Sequence, residues 1–100
     1  MIVETMDFGK ALEFLERAKV VRRLVWESDQ FIVAQIATKI DPENIDKIKS
    51  LPMEARKIIN SIGKGIIYKD QILIVNSKGE ATNWTPSSTD LFATDWYVVK

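Results

Sequence analysis

The stretch IIYKDQILIVNSKGEATNW, residues 66–84, decides the fold class of this 100-residue chain. Short apolar, β-branched segments are typical of strands, and here they alternate with polar turn residues, among them Asn76-Ser77-Lys78-Gly79. We therefore predict three strands, over residues 66–68, 72–75 and 81–84, that form an antiparallel meander. The unbroken apolar run from Ile72 to Val75 predicts a strand buried on both faces, either centrally in the sheet or beneath a partner subunit.

Upstream of this stretch, the sequence predicts a helix followed by a β-hairpin. Asp7 can cap a helix over residues 7–18, because apolar residues recur there at spacings of three and four. Residues 19–26 and 30–37 are rich in β-branched and aromatic side chains, and the residues between them suit a turn. We expect these two segments to pair as antiparallel strands.

Three further helical segments and a last strand are predicted before and after this stretch. Asp41-Pro42 predicts a short helical turn through Ile48, because a cap residue is followed by a proline at the first helical position. An amphipathic stripe over residues 51–62 predicts a stronger helix, which Gly63 can end. Residues 86–93 predict a short helix with several candidate caps, and residues 96–99 a last strand.

This order of elements indicates an α+β fold. We expect a mostly antiparallel sheet with an N-terminal helix, a middle helix and a short C-terminal helical turn. A chain of this length with 46% hydrophobic residues, four glycines and three prolines has material for one core, so residues 1–100 are interpreted as a single domain. Because one small core gives modest stability, we also expect the chain to associate with copies of itself.

The composition excludes several classes of function. Fourteen basic and fourteen acidic residues leave no excess positive charge to attract a nucleic-acid polymer or an acidic membrane. Histidine and cysteine are both absent, which removes the usual zinc ligands, the thiol nucleophile, disulfides and the commonest general base. We found no recognisable catalytic, cofactor-binding or metal-binding arrangement, so we expect a binding protein for a small anionic ligand, with no cofactor and no metal, not an enzyme.

The first residues suggest neither a signal peptide nor a membrane span, so we expect a cytoplasmic protein.

The three tryptophans are the most conspicuous candidate functional residues. Trp96 lies in an apolar strand and is expected to fill the core. Trp84 precedes the hydroxyl-rich start of the last helix, where free N–H groups could bind an anion, although an ordinary capped turn explains the same residues. Trp26 follows Arg22 and Arg23, whose side chains must point to opposite faces of a strand, so that only one can serve a given pocket. An arginine beside an indole suits the phosphate and base of a nucleotide; the alternative is a core aromatic beside a solvated arginine pair.

Three blocks of the sequence resemble those of a known family over nearly the whole chain. They are Asp7-Phe8-Gly9-Lys10-Ala11-Leu12, Arg22-Arg23-Leu24-Val25-Trp26 and Trp84-Thr85-Pro86-Ser87-Ser88-Thr89-Asp90-Leu91-Phe92-Ala93-Thr94-Asp95-Trp96. Their order and spacing are similar to those of the second Thoeris anti-defence family of phage and prophage proteins. That resemblance implies a sponge, which binds a cyclic nucleotide immune signal, chiefly glycocyclic ADP-ribose, and holds it intact in the host cytoplasm. Some members also hold cyclic di- or trinucleotides at separate sites.

The resemblance also implies site residues and an assembly. Trp26 and Trp84 match aromatic positions that stack on the ligand, and Phe8 matches an aromatic residue beside them. The polar candidates are Arg23, Ser88 and Asp90. The family forms a homotetramer with pockets between protomers. This sequence adds a proline-started helix in the segment from about residue 41 to 64, and it has Ser88 where glutamine is frequent; both differences bear on ligand identity. The alternative function is a protein-binding inhibitor or scaffold without a nucleotide ligand.

Overall fold

The computed structural model describes residues 3–100 and confirms the α+β class. It divides into two compact units, one formed by the residues through Gln35 together with Gln71–Lys100, the other by Ile36–Asp70. None of the helices within residues 3–100 has the length and the apolar content needed to cross a bilayer.

The first unit is a five-stranded antiparallel sheet with two helices. Its helices are α1 (Phe8–Glu16) and α3 (Ser88–Phe92), and its strands are β1 (Val21–Arg23), β2 (Phe31–Gln35), β5 (Gln71–Val75), β6 (Ala81–Asn83) and β7 (Trp96–Val98). The strand order is β6-β5-β2-β1-β7, and every neighbouring pair is antiparallel. The predicted hairpin of β1 and β2 and the predicted pairing of the two strands around Asn76–Gly79 are therefore confirmed.

Strand β5 occupies an inner position of this sheet, between β6 and β2. Ile72 and Ile74 pack against the core, while Leu73 and Val75 alternate onto the opposite face. All four side chains are half-buried. The predicted central position of the strand is therefore confirmed, but in the single chain its side chains are half-buried on both faces, and only one face meets the buried cluster. Burial beneath a partner subunit stays a prediction.

Helix α1 begins at its predicted cap and ends earlier than predicted. The Asp7 carboxylate accepts a hydrogen bond from the Lys10 backbone N–H at 2.8 Å. Past Glu16 the chain turns through Ala18 in the left-handed region, at φ 63°, and the N–H groups of Ala18 and Lys19 bond back to Leu15 and Phe14. This hydrogen-bonding pattern closes the helix as a Schellman motif.

The core of the first unit lies between α1 and one face of the sheet. Its buried side chains are Ala11, Leu15, Val21, Ile32 and Trp96. Trp96 is fully buried, which confirms the prediction that it is a core residue. It is also the largest of the five, so it accounts for more of the apolar surface removed from water than any other member.

The second unit contains β3 (Thr38–Ile40), a 3₁₀ helix (Pro42–Lys47), α2 (Met53–Ile62) and β4 (Ile66–Tyr68). The short helical turn and the middle helix are confirmed. Strand β4 pairs antiparallel with β3, not with β5, so the predicted three-strand meander is wrong in its first member. Strand β3 was not predicted, because the predicted strand over residues 30–37 left only three residues before the Asp41-Pro42 break.

Backbone geometry holds β3 and β4 close together. Gly65 has φ 74°, and a Cβ built at this position would lie 2.2 Å from the Ile40 carbonyl oxygen. Only glycine therefore fits this approach without displacing the backbone. Gly63, at φ 76°, ends α2 as predicted.

Candidate functional site

Three aromatic side chains gather around one indole in the first unit. We call Phe8, Trp26, Trp84 and Trp96 the tryptophan cluster. The ring centroid of Trp96 lies 5.3 Å from that of Phe8, 5.4 Å from that of Trp26 and 5.9 Å from that of Trp84. Both indole pairs are edge-to-face, the arrangement that the quadrupoles of aromatic rings favour.

Each member of the tryptophan cluster comes from a different element. Phe8 is the first residue of α1, Trp26 lies in the turn after β1, Trp84 directly follows β6, and Trp96 begins β7. The Trp84 backbone N–H donates to the Ile72 carbonyl at 2.8 Å, which extends the pairing of β6 with β5 by one residue. The fold therefore brings together residues that lie far apart in sequence.

The members differ in burial in a way that matters for binding. Trp96 is buried, and its indole N–H donates to the backbone carbonyl of Asp90 at 3.1 Å. Phe8, Trp26 and Trp84 are half-buried and pack against it. The three partly exposed rings thus pack on one buried indole. This packing preserves their geometry and leaves part of each ring accessible to a planar ligand.

A group of charged residues lies beside the cluster, and we call Arg23, Asp90 and Asp95 the carboxylate network. Arg23 Nε donates to Asp95 Oδ1 at 2.8 Å, and Arg23 Nη1 donates to Asp90 Oδ1 at 3.1 Å. The three side chains are only 12%, 15% and 22% exposed, in the order Arg23, Asp90, Asp95. One cation therefore faces two carboxylates, and the group carries a net charge of one negative unit.

This pairing shifts the ionisation of all three groups. The hydrogen bond from Arg23 to Asp95 is the main cause that raises the pKa of the guanidinium. Desolvation opposes ionisation of Asp90, but hydrogen bonds from the Ser87 N–H and hydroxyl and from Arg23 outweigh it and lower the pKa of this carboxyl. Desolvation likewise opposes ionisation of Asp95, and the bonds from Arg23 and the Val25 N–H lower its pKa in the same way.

The start of α3 is closed by its own side chains. The Ser87 hydroxyl accepts from the Asp90 N–H at 3.1 Å, and Asp90 Oδ2 accepts from the Ser87 N–H at 2.9 Å. These reciprocal bonds form a capping box. Part of the anion-binding capacity expected of a helix start is thus used by the Asp90 carboxylate.

An open depression lies along α3, with a volume of about 420 Å³. Its lining residues are Arg23, Ser88, Thr89, Phe92 and Ala93. Phe92 is 85% exposed, and Ser88 is exposed as well. The depression therefore offers hydroxyl groups and an aromatic ring to a ligand or to another protein surface.

The six site residues predicted from the sequence fall into three groups. Phe8, Trp26 and Trp84 meet in the tryptophan cluster, and Arg23 and Asp90 pair with each other in the carboxylate network. Ser88 lines the depression, where Arg23 also appears. Neither Trp26 nor Trp84 is among the residues that line it.

Asp95, Thr89 and Phe92 are the residues of this region that sequence reasoning missed. Asp95 directly precedes Trp96, and Trp96 lies opposite Arg23 in the pairing of β1 with β7. A predicted pairing of these two strands would have revealed the contact, because it sets the acid beside the arginine. The sequence pattern contains no local signal for that pairing.

Arg22 points to the other face of the sheet, which confirms the prediction that the two arginines serve different faces. Its guanidinium lies over the Tyr97 ring, 5.9 Å from the centroid, and Nη2 donates to the Trp26 carbonyl at 2.7 Å. Arg22 thus contacts the backbone of the cluster, not its rings. Over residues 3–100, no group of three or more acidic side chains is placed to hold a metal ion.

Comparison with known proteins gives one match that covers almost the whole chain. The family model described as Tad2-like, the Thoeris anti-defense 2-like domain, matches residues 6–99. The matched span contains both the tryptophan cluster and the carboxylate network, and it confirms the family resemblance seen in the sequence. A search of curated proteins found no match.

Proposed function

We propose that this protein is a sponge for a cyclic nucleotide immune signal. The chain belongs to the Thoeris anti-defense 2-like family and is therefore an anti-defence protein. The proposed ligand is glycocyclic ADP-ribose of Thoeris systems, with cyclic oligonucleotides of related systems as further ligands. In this proposal a phage uses the protein in the bacterial host cytoplasm. The protein binds the signal, so that the signal does not reach the effector that it activates.

The tryptophan cluster is the observation that carries this proposal. Phe8, Trp26 and Trp84 are half-buried on the fully buried Trp96, so each ring is fixed in place while part of it stays accessible. Stacking of a base on an aromatic side chain is worth about 1–3 kcal/mol. Rings that are already ordered lose little conformational entropy on binding, so most of that energy remains available for affinity.

The polar part of the proposed site is the region of Arg23, Ser88 and Asp90. Ser88 offers an exposed hydroxyl beside α3. Arg23 and Asp90 would act as a pre-formed pair, because each already holds the other. Donors and acceptors held in fixed positions can select a ligand by hydrogen bonding even where the net charge does not attract it.

A homotetramer with pockets between protomers is part of the proposal. Ligand sites for small molecules usually enclose most of the ligand surface, and the depression along α3 is open. Exposed apolar side chains occur on its wall and on neighbouring segments: Leu24 is 50% exposed, Val25 61%, Leu91 48% and Phe92 85%. A second copy that covers these residues would bury them and would also supply the missing wall.

We propose that the ligand is held without cleavage. The chain has no histidine and no cysteine to act as base or nucleophile. The closest contact between a hydroxyl and a carboxylate at the site, from Ser87 to Asp90, belongs to the capping box of α3. Its geometry is explained by helix capping, without a catalytic role.

A second candidate function is a protein-binding inhibitor. The observation that favours it is the 85% exposure of Phe92, since exposed aromatic side chains often anchor protein interfaces. The two functions differ in what happens to the signal. A sponge lowers the free concentration of a cyclic nucleotide, whereas a protein-binding inhibitor blocks the defence and leaves that concentration unchanged.

The test is capture and release of glycocyclic ADP-ribose by the purified protein, followed by titration calorimetry of variants. Wild-type protein should deplete the ligand and return it after heating with unchanged mass and retention time. Trp84→Ala should lower the affinity by about 5- to 150-fold, the equivalent of one lost stacking contact. Trp84→Phe should keep part of the affinity, because it preserves an aromatic face.

The matched control is Tyr68→Ala, which removes an aromatic side chain from the other unit and should leave the affinity unchanged. A folded Trp84→Ala protein with wild-type affinity would show that the stacking model is wrong. Release of linear ADP-ribose would show instead that the protein is an enzyme.

A further inference from the structure

Asp95 occupies a junction between β1, β7 and the turn that carries Trp26. Its Oδ1 accepts from Arg23 Nε at 2.8 Å, and its Oδ2 accepts from the Val25 backbone N–H at 3.1 Å. Its backbone carbonyl accepts from the Leu24 N–H at 3.1 Å. Both carboxylate oxygens thus hold the residues that lead directly into Trp26.

The backbone of Trp26 itself is held from both sides by the arginine pair. Its N–H donates to the Arg23 carbonyl at 3.3 Å, and its carbonyl accepts from Arg22 Nη2 at 2.7 Å. Leu24 and Val25 are at least half exposed, so little apolar packing fixes this turn. Hydrogen bonds therefore act together with the packing of the Trp26 ring on Trp96 to set the place of the Trp26 backbone. The Asp95 carboxylate anchors Arg23 and Val25, the residues on either side of Leu24 that lead into Trp26.

The same acid is connected to α3 on its other side. Arg23 reaches from Asp95 to Asp90, and Asp90 belongs to the capping box and accepts the indole N–H of Trp96 through its carbonyl. A continuous set of contacts thus runs from the Trp26 turn to the wall that carries Ser88.

We infer that Asp95 is the positioning residue of the ligand site, because it holds the Trp26 turn in place and joins it to α3. The inference deepens the proposed function and rests on it in one respect, namely that Trp26 stacks on the ligand. Asp95 need not touch the ligand; it acts through Trp26.

Asparagine at this position is the sharpest substitution. An ionised carboxylate accepts hydrogen bonds on both oxygens, whereas a carboxamide has one acceptor oxygen and an NH₂ group. In Asp95→Asn, either Arg23 or the Val25 N–H would therefore face a donor. The substitution changes the hydrogen bonding of the turn with almost no change in side-chain volume.

The first measurement needs no ligand. Protein labelled with 5-fluorotryptophan should give three ¹⁹F resonances, one for each tryptophan, which Trp→Phe variants assign. Asp95→Asn should shift or broaden the Trp26 resonance and leave the Trp84 resonance in place. Asp70→Asn is the matched control, because Asp70 also accepts a backbone N–H, that of Ala37, but in the other unit.

The second measurement is a double-mutant cycle on ligand affinity. Asp95→Asn alone should weaken binding of glycocyclic ADP-ribose by at least about 5-fold, within the range expected for loss of one stacking contact. In a Trp26→Ala background the same substitution should add less than about 2-fold, because residues that act through one another are not additive.

The outcomes separate this inference from the proposed function. An unmoved Trp26 resonance, or additive losses in the cycle, would overturn the positioning role. Wild-type protein that binds no cyclic nucleotide would remove the proposed function, and the ¹⁹F measurement would still decide whether Asp95 positions Trp26. If Asp95→Asn does not fold, Asp95→Glu, which keeps the charge but moves the acceptors, should alter the Trp26 resonance and leave the Trp84 resonance in place.

Discussion

The two compact units of this chain are stabilised by different means. The unit that contains the tryptophan cluster buries five side chains together and pairs its least exposed charges. In the Ile36–Asp70 unit, all of which the structure describes, Ile45 is the one buried side chain and α2 has no buried residue. Hydrogen bonds from Arg56 to the Asp46 carbonyl and from Asn60 to the Asp46 carboxylate connect α2 to the 3₁₀ helix instead.

This difference predicts that side-chain packing stabilises the first unit, whereas backbone conformation and hydrogen bonds stabilise the Ile36–Asp70 unit. Truncation of a large buried side chain removes transfer free energy and leaves a cavity, so the first unit should respond most to changes in its core. A unit with little buried apolar surface depends more on backbone conformation and hydrogen bonds. The Ile36–Asp70 unit should therefore respond most to changes in its turns.

The largest expected effect is that of Trp96→Ala. It should lower the free energy of unfolding by about 3–5 kcal/mol, because it removes a buried aromatic side chain and the centre of the tryptophan cluster. Urea unfolding monitored by circular dichroism measures this change. Phe92→Ala is the matched control, since an 85% exposed ring should change stability by less than about 0.5 kcal/mol. Equal effects of the two substitutions would contradict the contrast between core and surface.

A smaller and more local effect is expected for Gly65→Ala. Alanine at a positive φ costs about 1–2 kcal/mol, and here its Cβ would also meet the Ile40 carbonyl oxygen. Amide hydrogen exchange should accelerate in β3 and β4 and stay slow in β1 and β2. Gly63→Ala has a similar φ and no atom within 4 Å of the added Cβ, so it should cost only the conformational part. Equal exchange in the two variants would mean that the close approach at Gly65 does not matter.

The smallest expected effect is a change in the free energy of unfolding at acidic pH. The pKa values of Asp90 and Asp95 are lowered in the folded chain, so these carboxyls favour folding above their ordinary pKa of about 3.9. That contribution is lost as the pH decreases from about 4 through the lowered folded values, where the native carboxyls also bind protons. Asp95→Asn should therefore reduce the loss of stability in this window, as measured by urea unfolding at a series of pH values.

The control for the acid series is Asp29→Asn. The Asp29 carboxylate is 98% exposed and 3.9 Å from Arg22, so its removal leaves the ion pairs of Arg23 intact. If the loss of unfolding free energy at acidic pH is the same in Asp95→Asn and in wild-type protein, Asp95 does not contribute to that loss.

Local patterns in the sequence were enough to predict most of the elements and the residue at the centre of the core. The Asp7 cap, the left-handed Gly63 and the burial of Trp96 all depend on neighbours in sequence or on residue type. The missing features depend on partners that are distant in sequence. Strand β3 is too short to give a periodic signal, and no pattern reveals its pairing with β4 or the close backbone approach at Gly65 that accompanies it.

The candidate site shows the same division. The aromatic members could be singled out locally, because an indole beside an arginine pair or a hydroxyl-rich turn is visible within a few residues of sequence. The proposed role of Asp95 could not be predicted from the sequence, because its hydrogen bond with Arg23 joins residues 72 positions apart. A helix period or a strand alternation contains no information about which acid will lie beside which arginine across β1 and β7.

The pairing of β1 with β7 has a consequence for how the protein is made in a cell. Val21–Arg23 and Trp96–Val98 are neighbours in the sheet, yet the ribosome adds them more than seventy residues apart. The nascent chain therefore lacks both the indole that supports the other aromatic rings and the acid that holds Arg23 until residue 96 has been synthesised. We expect a chain that stops before Asp95 to lack the assembled tryptophan cluster, so the proposed capture of a signal would begin only after translation has passed this point.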